Sequence, residues 1–196
     1  TAMNYYRQQL RTSESAIEDL KGRGRSGEIA AQFALGDAPK GWQNLQQAFA
    51  DYRDPSLVES GLVIEREGEP VESHEATETE LATPPRYDTG KRYDRFRERI
   101  VFPIRNPKGQ VIGFGGRVID AGEPKYLNSP ETPVFQKGNE LYGLFEARRA
   151  LREAGFVIVV EGYMDLVALA LFGIYNVFAT LGTAFTTVHV RKLVSQ

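Results

Sequence analysis

The chain has 196 residues, of which 41% are apolar and 26% charged, enough for one or two domains around a real core. It has no cysteine, which excludes disulfides and thiolate metal sites, and no apolar run approaches the length of a membrane span. A net charge of -2 argues by itself against a nucleic-acid partner, but the charge is unevenly spread. Residues 65–80 hold seven Glu and one Arg, whereas residues 91–117 hold eight Lys or Arg against Asp94 and Glu98. A local basic stripe of this kind attracts phosphate whatever the total charge.

The first sixty residues read as helices. Ser13 is placed to cap one, with Ile17 and Leu20 on a common face and Gly22 or Gly24 ending it. Ser26 is placed to cap a second, with Ile29 and Phe33 buried and Gly36 past its end. Trp42, Leu45, Phe49 and Tyr52 recur at helical spacing, and such a stripe is more often core than binding surface. Leu62-Val63-Ile64 starts a strand. Residues 65–90 lack apolar periodicity and are rich in Glu, Thr and Pro, which predicts a flexible acidic insertion. No membrane span and no secretory pattern are visible, so the expected location is cytoplasmic.

From Arg97 the period becomes two. Ile100, Phe102 and Ile104 face one way, and Arg95, Arg97, Arg99 and Arg105 are expected to share the opposite face as a phosphate track. Asn106-Pro107-Lys108-Gly109 reads as a tight turn, and Gln110 to Ile119 as the returning strand of a hairpin. Gly113, Gly115 and Gly116 weaken that strand and mark a bulge or a close backbone approach. Residues 120–143 look irregular. Lys125, Tyr126 and Asn128 lie there between prolines: Lys can neutralise a triphosphate, Tyr can stack on a base, and Asn can bond sugar or base. Leu144 to Ala154 is helical, with Arg148, Arg149 and Arg152 on its polar side.

Strand 156–160, helix 163–172 and strand 175–179 are expected to form one βαβ unit, and Thr186 opens a last helix. The run Val157-Ile158-Val159-Val160 suits a strand buried on both faces, as in a parallel sheet. Glu161 then sits at the carboxyl end of that strand, where open parallel sheets bind ligands, and Asp165 lies one turn into the next helix. Two carboxylates there suit proton or metal handling beside a phosphate, although a first-turn acid also simply complements the helix dipole. His74 and His189 have no partner at ligand spacing and read as structural or incidental.

The strand followed by Glu161-Gly162-Tyr163-Met164-Asp165 resembles the first acidic motif of the TOPRIM domain of bacterial primases and topoisomerases. Arg95-Phe96-Arg97-Glu98-Arg99-Ile100-Val101-Phe102-Pro103-Ile104-Arg105 comes before it, then Gly113-Phe114-Gly115-Gly116-Arg117. Pro124-Lys125-Tyr126-Leu127-Asn128-Ser129-Pro130-Glu131-Thr132 and Lys137-Gly138 follow. This succession, from about Tyr93 to Gly182, resembles the RNA polymerase core of the bacterial replicative DNA primases; residues 2–62 match more loosely.

The resemblance implies a mixed α/β fold: an α+β N-terminal subdomain with a β-hairpin over residues 1–150, then the start of a parallel TOPRIM unit over residues 151–196. It implies a nucleotidyltransferase that makes short RNA primers on single-stranded DNA from ribonucleoside triphosphates, with Mg2+ or Mn2+. Arg117, Lys125, Lys137 and Asn128 would line the active-site groove. Glu161 would act as general base or acid, and Asp165 would join it at the metal. The later Asp-x-Asp pair is not among these residues, so the metal site is expected to be incomplete and the chain alone inactive. The family's zinc module and the regions that meet the replicative helicase are likewise expected to lie outside it. Two rivals stay open: a template-gripping module without chemistry, and another TOPRIM enzyme such as a topoisomerase or nuclease.

Overall fold

A computed structural model describes residues 1–66, 91–120 and 122–194. The expected acidic insertion therefore falls, from residue 67 to 90, outside the described residues. The fold is mixed α/β, as the sequence predicts.

The N-terminal part opens with three helices, α1 (Ala2–Thr12), α2 (Glu14–Gly22) and α3 (Gly27–Gln32). The Ser13 hydroxyl accepts from the Ala16 N–H and the Ser26 hydroxyl from the Ile29 N–H, so both predicted caps form. Strand β1 (Gly36–Ala38) follows at once, paired antiparallel to a longer strand, β4 (Arg99–Arg105). Gly36 thus belongs to a strand rather than to a helix end.

The aromatic stripe from Trp42 to Tyr52 does not make an α-helix. Only a 3-10 turn over Asn44–Gln47 forms, followed by a short helix α4 (Pro55–Glu59). Leu45 is fully buried as expected, but Trp42 is 65% exposed. The stripe fails because Asp94, from a distant strand, holds the segment open: its carboxylate accepts from the Leu45 N–H and the Tyr52 hydroxyl.

Strand β2 (Val63–Arg66) pairs antiparallel with β3 (Lys91–Asp94). Strand β4 and β5 (Val111–Val118) form the predicted hairpin. Its turn is closed by Asn106, whose side-chain oxygen accepts from the Lys108 and Gln110 N–H groups at 3.0 Å, with Gly109 at φ +83°. Strand β6 (Tyr126–Asn128), in the stretch that reads as irregular, adds to β5 and completes the sheet in the order β1-β4-β5-β6.

Strand β4 is buried on both faces. Ile100, Phe102 and Ile104 pack with α2, α3 and the later helices, while Val101 packs on the other side with Tyr6, Leu45, Leu57, Phe96 and Phe114. Each such side chain removed from water stabilises the fold by about 1.5–3 kcal/mol.

Helix α5 (Leu144–Ala154) is followed by β7 (Ile158–Val160), α6 (Tyr163–Leu171), β8 (Val177–Ala179) and α7 (Thr187–Val194). Strands β7 and β8 are parallel, the predicted βαβ unit. The expectation of a strand buried on both faces fails here. Val157 and Val159 are each more than a third exposed, because among the described residues nothing covers that face of β7. His189 is buried and structural: its Nδ1 faces the Thr186 N–H at 3.1 Å and its ring stacks on Phe185.

Candidate active site and nucleic-acid interface

Strand β7 ends at Val160, and Glu161 and Asp165 are both exposed at its carboxyl edge. Gly162 caps α6, and a Cβ built on it would lie 2.9 Å from the Asp165 Oδ2. The missing side chain is what lets the Asp165 carboxylate fold back over the helix start. Arg25 joins this edge. Its Nη2 donates to the Met164 carbonyl at 3.1 Å, and its charge interacts with that of Asp165. Burial, and then the neighbouring Arg23, lower its pKa, while Asp165 works the other way. Arg25 escapes a reading of the sequence because a lone Arg after a helix carries no pattern.

Asn128 ties this edge to the hairpin. Its Oδ1 accepts from the Tyr163 hydroxyl at 2.5 Å, its Nδ2 donates to the Leu181 carbonyl at 3.0 Å, and its own carbonyl accepts from Arg95 Nε at 3.1 Å. Burial raises the Tyr163 pKa far above its usual value, with Asn128 opposing, so the hydroxyl stays a donor. The Tyr163 ring stacks on Phe102 at 5.2 Å and meets Tyr142 edge-on at 4.9 Å. Gly115, opposite Asn128 in the sheet, provides the room: a Cβ there would stand 2.5 Å from the Tyr163 ring.

The predicted arginine track is not a single face. Arg95 and Arg97 precede β4 rather than lying in it. Arg97 lies over the exposed Trp42 ring at 4.3 Å and over Tyr93 at 5.2 Å, and donates to the Asp94 carbonyl. Arg99 reaches the Lys125 carbonyl at 3.4 Å. Arg105 is at the other end of a strand that spans about 20 Å. There it pairs with the buried Glu146 at 3.4 Å and lies over Phe145. The alternation misleads because aromatic side chains of α1 and β5 cover the second face of β4.

The other predicted residues separate in the same way. Arg117 is buried, donates to the Val118 carbonyl, and lies 3.7 Å from Asp19. Tyr126, its partner across the sheet, is 42% exposed beside Lys125. Lys137 sits in a 3-10 turn, its N–H on Glu131. The structure therefore brings Arg95, Arg117, Lys125, Tyr126 and Asn128 to one end of the sheet, and leaves Arg105 apart.

A family model for the DNA primase catalytic core, N-terminal domain, matches residues 5–76 and 67–148, and one for the Toprim domain matches residues 155–195. The chain belongs to the DNA primase catalytic core family. The DNA primase of Neisseria meningitidis serogroup B is 51% identical over 193 residues, which is 98% of this chain and 29% of that relative. A DNA primase domain from Pseudomonas aeruginosa superposes with a TM-score of 0.81 at 46% identity, over 99% of this chain and 56% of that one. The DnaG primase catalytic domain bound to ssDNA superposes with a TM-score of 0.81 at 42% identity, over 99% and 57%. The chain thus spans under a third of the curated primases it matches. In this primase core the hydrogen bonds of Asn128 run between the hairpin sheet and the Toprim segment, so one amide sets how the basic surface meets the acid edge.

A Toprim segment carries a general expectation of divalent metal. Glu161 and Asp165 are the carboxylates exposed at this edge, the residue type that would join in holding such an ion. Among the described residues no group of three or more His, Cys, Asp or Glu is placed to hold a metal.

Proposed function

We propose that this chain is the template-gripping part of a primase core that makes short RNA primers on single-stranded DNA from ribonucleoside triphosphates. The observation that carries the reading is Asn128, hydrogen-bonded at once to Arg95, Leu181 and Tyr163, which follows the exposed Glu161 by two residues. Phosphates on Arg95 and Lys125 would thereby lie next to a carboxylate able to take a proton. Tyr126 offers a ring for base stacking and Lys137 a further cation; Arg117 backs this surface from the buried side. The residues divide near position 150 into a nucleic-acid-holding subdomain and a Toprim segment. Primases work at replication forks, so the expected location is cytoplasmic, and contact with a replicative helicase is left to regions this chain does not span.

In this reading a Glu161 carboxylate oxygen accepts the proton of the 3′ hydroxyl as that oxygen bonds the α-phosphorus of the incoming ribonucleotide and the bond to the departing pyrophosphate breaks. Asp165, drawn back over the helix start by Gly162, would hold Mg2+ or Mn2+ with Glu161. Such an ion, when bound, supplies charge neutralisation at the reacting phosphate. The remaining carboxylates would come from the part of the relatives' length that these residues do not cover.

The experiment is ribonucleotide incorporation on a single-stranded template, by this chain alone and by a longer polypeptide of the same parent, with Mg2+ or Mn2+. The chain alone should bind template and make no primer. Robust incorporation by it would overturn the division of labour. A second reading is a binding module without chemistry; a longer polypeptide of the same parent that also fails to incorporate would establish it.

A further inference from the structure

Asp19, at the start of the last turn of α2, is held from two sides. Arg23 grips it bidentately: Nε donates to Oδ2 at 2.9 Å and to Oδ1 at 3.1 Å, and Nη2 to Oδ1 at 2.8 Å. Arg117, from β5 far away in sequence, brings Nη1 to within 3.7 Å of Oδ2. Only Arg23 has much solvent access; the Asp19 and Arg117 side chains are 11% and 9% exposed. Across the sheet Arg117 faces Tyr126, and the charge of Arg23 interacts with that same tyrosine.

An ordinary i,i+4 surface pair would be worth little. This one differs because a single carboxylate serves two guanidiniums from separate elements. Two like charges converging beside Tyr126 repel, and Arg117 is too buried to be relieved by water. Asp19 removes that conflict and fixes the planar orientation of both forks.

We propose that Asp19 is a positioning residue: braced by the buried Arg117 behind it, it holds the exposed Arg23 fork at the Tyr126 end of the sheet, set to engage the phosphates of a single strand. This rests on the template-binding reading above. It goes beyond that reading by giving an acidic residue, which on charge alone should repel DNA, a role in gripping it.

The sign of one substitution separates the two ideas. Asp19→Asn makes the surface more positive, so a surface that merely attracts phosphate would bind DNA more tightly. A positioning role predicts the reverse, a loss of about tenfold, the order of one charge-assisted contact. The experiment titrates a labelled single-stranded oligonucleotide with the chain at two salt concentrations, following fluorescence anisotropy and checking the melting temperature of every variant. Asp19→Glu, which keeps the charge, should recover part of the affinity, and Asp19→Asn/Arg23→Gln should bind no worse than Asp19→Asn. Equal or tighter binding by Asp19→Asn overturns the proposal. Should that variant fail to fold, Arg23→Gln decides, because it leaves Arg117 on Asp19. A loss of about threefold supports the proposal and unchanged affinity overturns it.

A second readout does not need DNA. The Arg23 Nε–H and the Arg117 guanidinium resonances should be sharp and slow to exchange in the wild type, and averaged in Asp19→Asn. If the wild type does not bind the oligonucleotide, the template-binding reading falls. In that case unaltered arginine resonances in Asp19→Asn would overturn the positioning role as well, and altered ones would support it.

Discussion

The Tyr163 hydroxyl donates to the side-chain oxygen of Asn128 at 2.5 Å, and so joins the first turn of the Toprim helix to β6, the edge strand of the hairpin sheet. The two residues come from segments whose individual roles can be guessed from sequence. Their contact cannot, yet it sets the distance between the basic surface and the acid edge.

Tyr163→Phe should therefore destabilise the chain by about 1–3 kcal/mol, because Asn128 Oδ1 is left without its donor in a buried setting. For a chain of this size that lowers the melting temperature by roughly 2–4 °C per kcal/mol. Calorimetry on the two proteins tests it, and an unchanged melting temperature would show that the hydroxyl contributes nothing.

Gly115→Ala should be worse than its small volume suggests. The added carbon would meet the Tyr163 ring at 2.5 Å, and that ring is fixed against Phe102 and Tyr142. Overpacking of this kind costs about 1–3 kcal/mol. Urea denaturation should show a lower midpoint with an unchanged slope, and template affinity should fall too. A variant as stable as the parent would mean that the ring yields freely.

Single-stranded DNA should bind weakly, at about 10⁻⁴ to 10⁻⁶ M, and more weakly as salt rises. Arg95→Ala should reduce affinity and Arg105→Ala should not, since Arg105 is turned away to Glu146. Arg105→Ala should instead lower stability, because it leaves a buried carboxylate without its partner. Oligonucleotide titrations and melting curves on the two variants separate these outcomes. Equal losses of affinity would restore the single arginine face.

Asp37 should make the chain less stable near neutral pH than in mild acid. It is 4% exposed, its Oδ1 has no hydrogen-bond donor, and burial raises its pKa while Ser13 opposes. A carboxyl whose folded pKa is raised binds its proton more tightly folded than unfolded. Its contribution is thus most favourable below the unfolded value of about 3.9 and is lost as pH rises through the folded value. Asp37→Asn should raise the melting temperature at pH 7, and that gain should shrink as the pH is lowered towards the unfolded value. A gain that is independent of pH, or a loss at pH 7, would count against this account.

Local signals were legible in the sequence. Ser13 and Ser26 cap their helices, Asn106 to Gly109 turns the hairpin, and α5 spans the predicted residues. Each depends on neighbours only a few positions away. What was not legible depends on distant partners. Trp42 is exposed because Asp94 reorganises the segment after it, and β6 is too short to announce itself before β5 pairs with it. The alternation of Arg with Ile along β4 suggests a solvent face, but α1 covers it. Of the candidate site, the motif residues Glu161, Asp165, Lys125, Tyr126 and Asn128 stand out in the sequence, whereas Arg25 and Asp19 look like any surface charge.

Strand β4 is a wall shared by two rooms. Ile100, Phe102 and Ile104 hang on one side and Val101 on the other, so neither core can empty while the other stays furnished. Local opening, which in many proteins frees one subdomain at a time, has no seam to follow between these two cores. The amide protons at the middle of β4 should then exchange only when the whole chain unfolds. The surface that would hold template and the edge that would handle protons are made, and lost, in a single cooperative event.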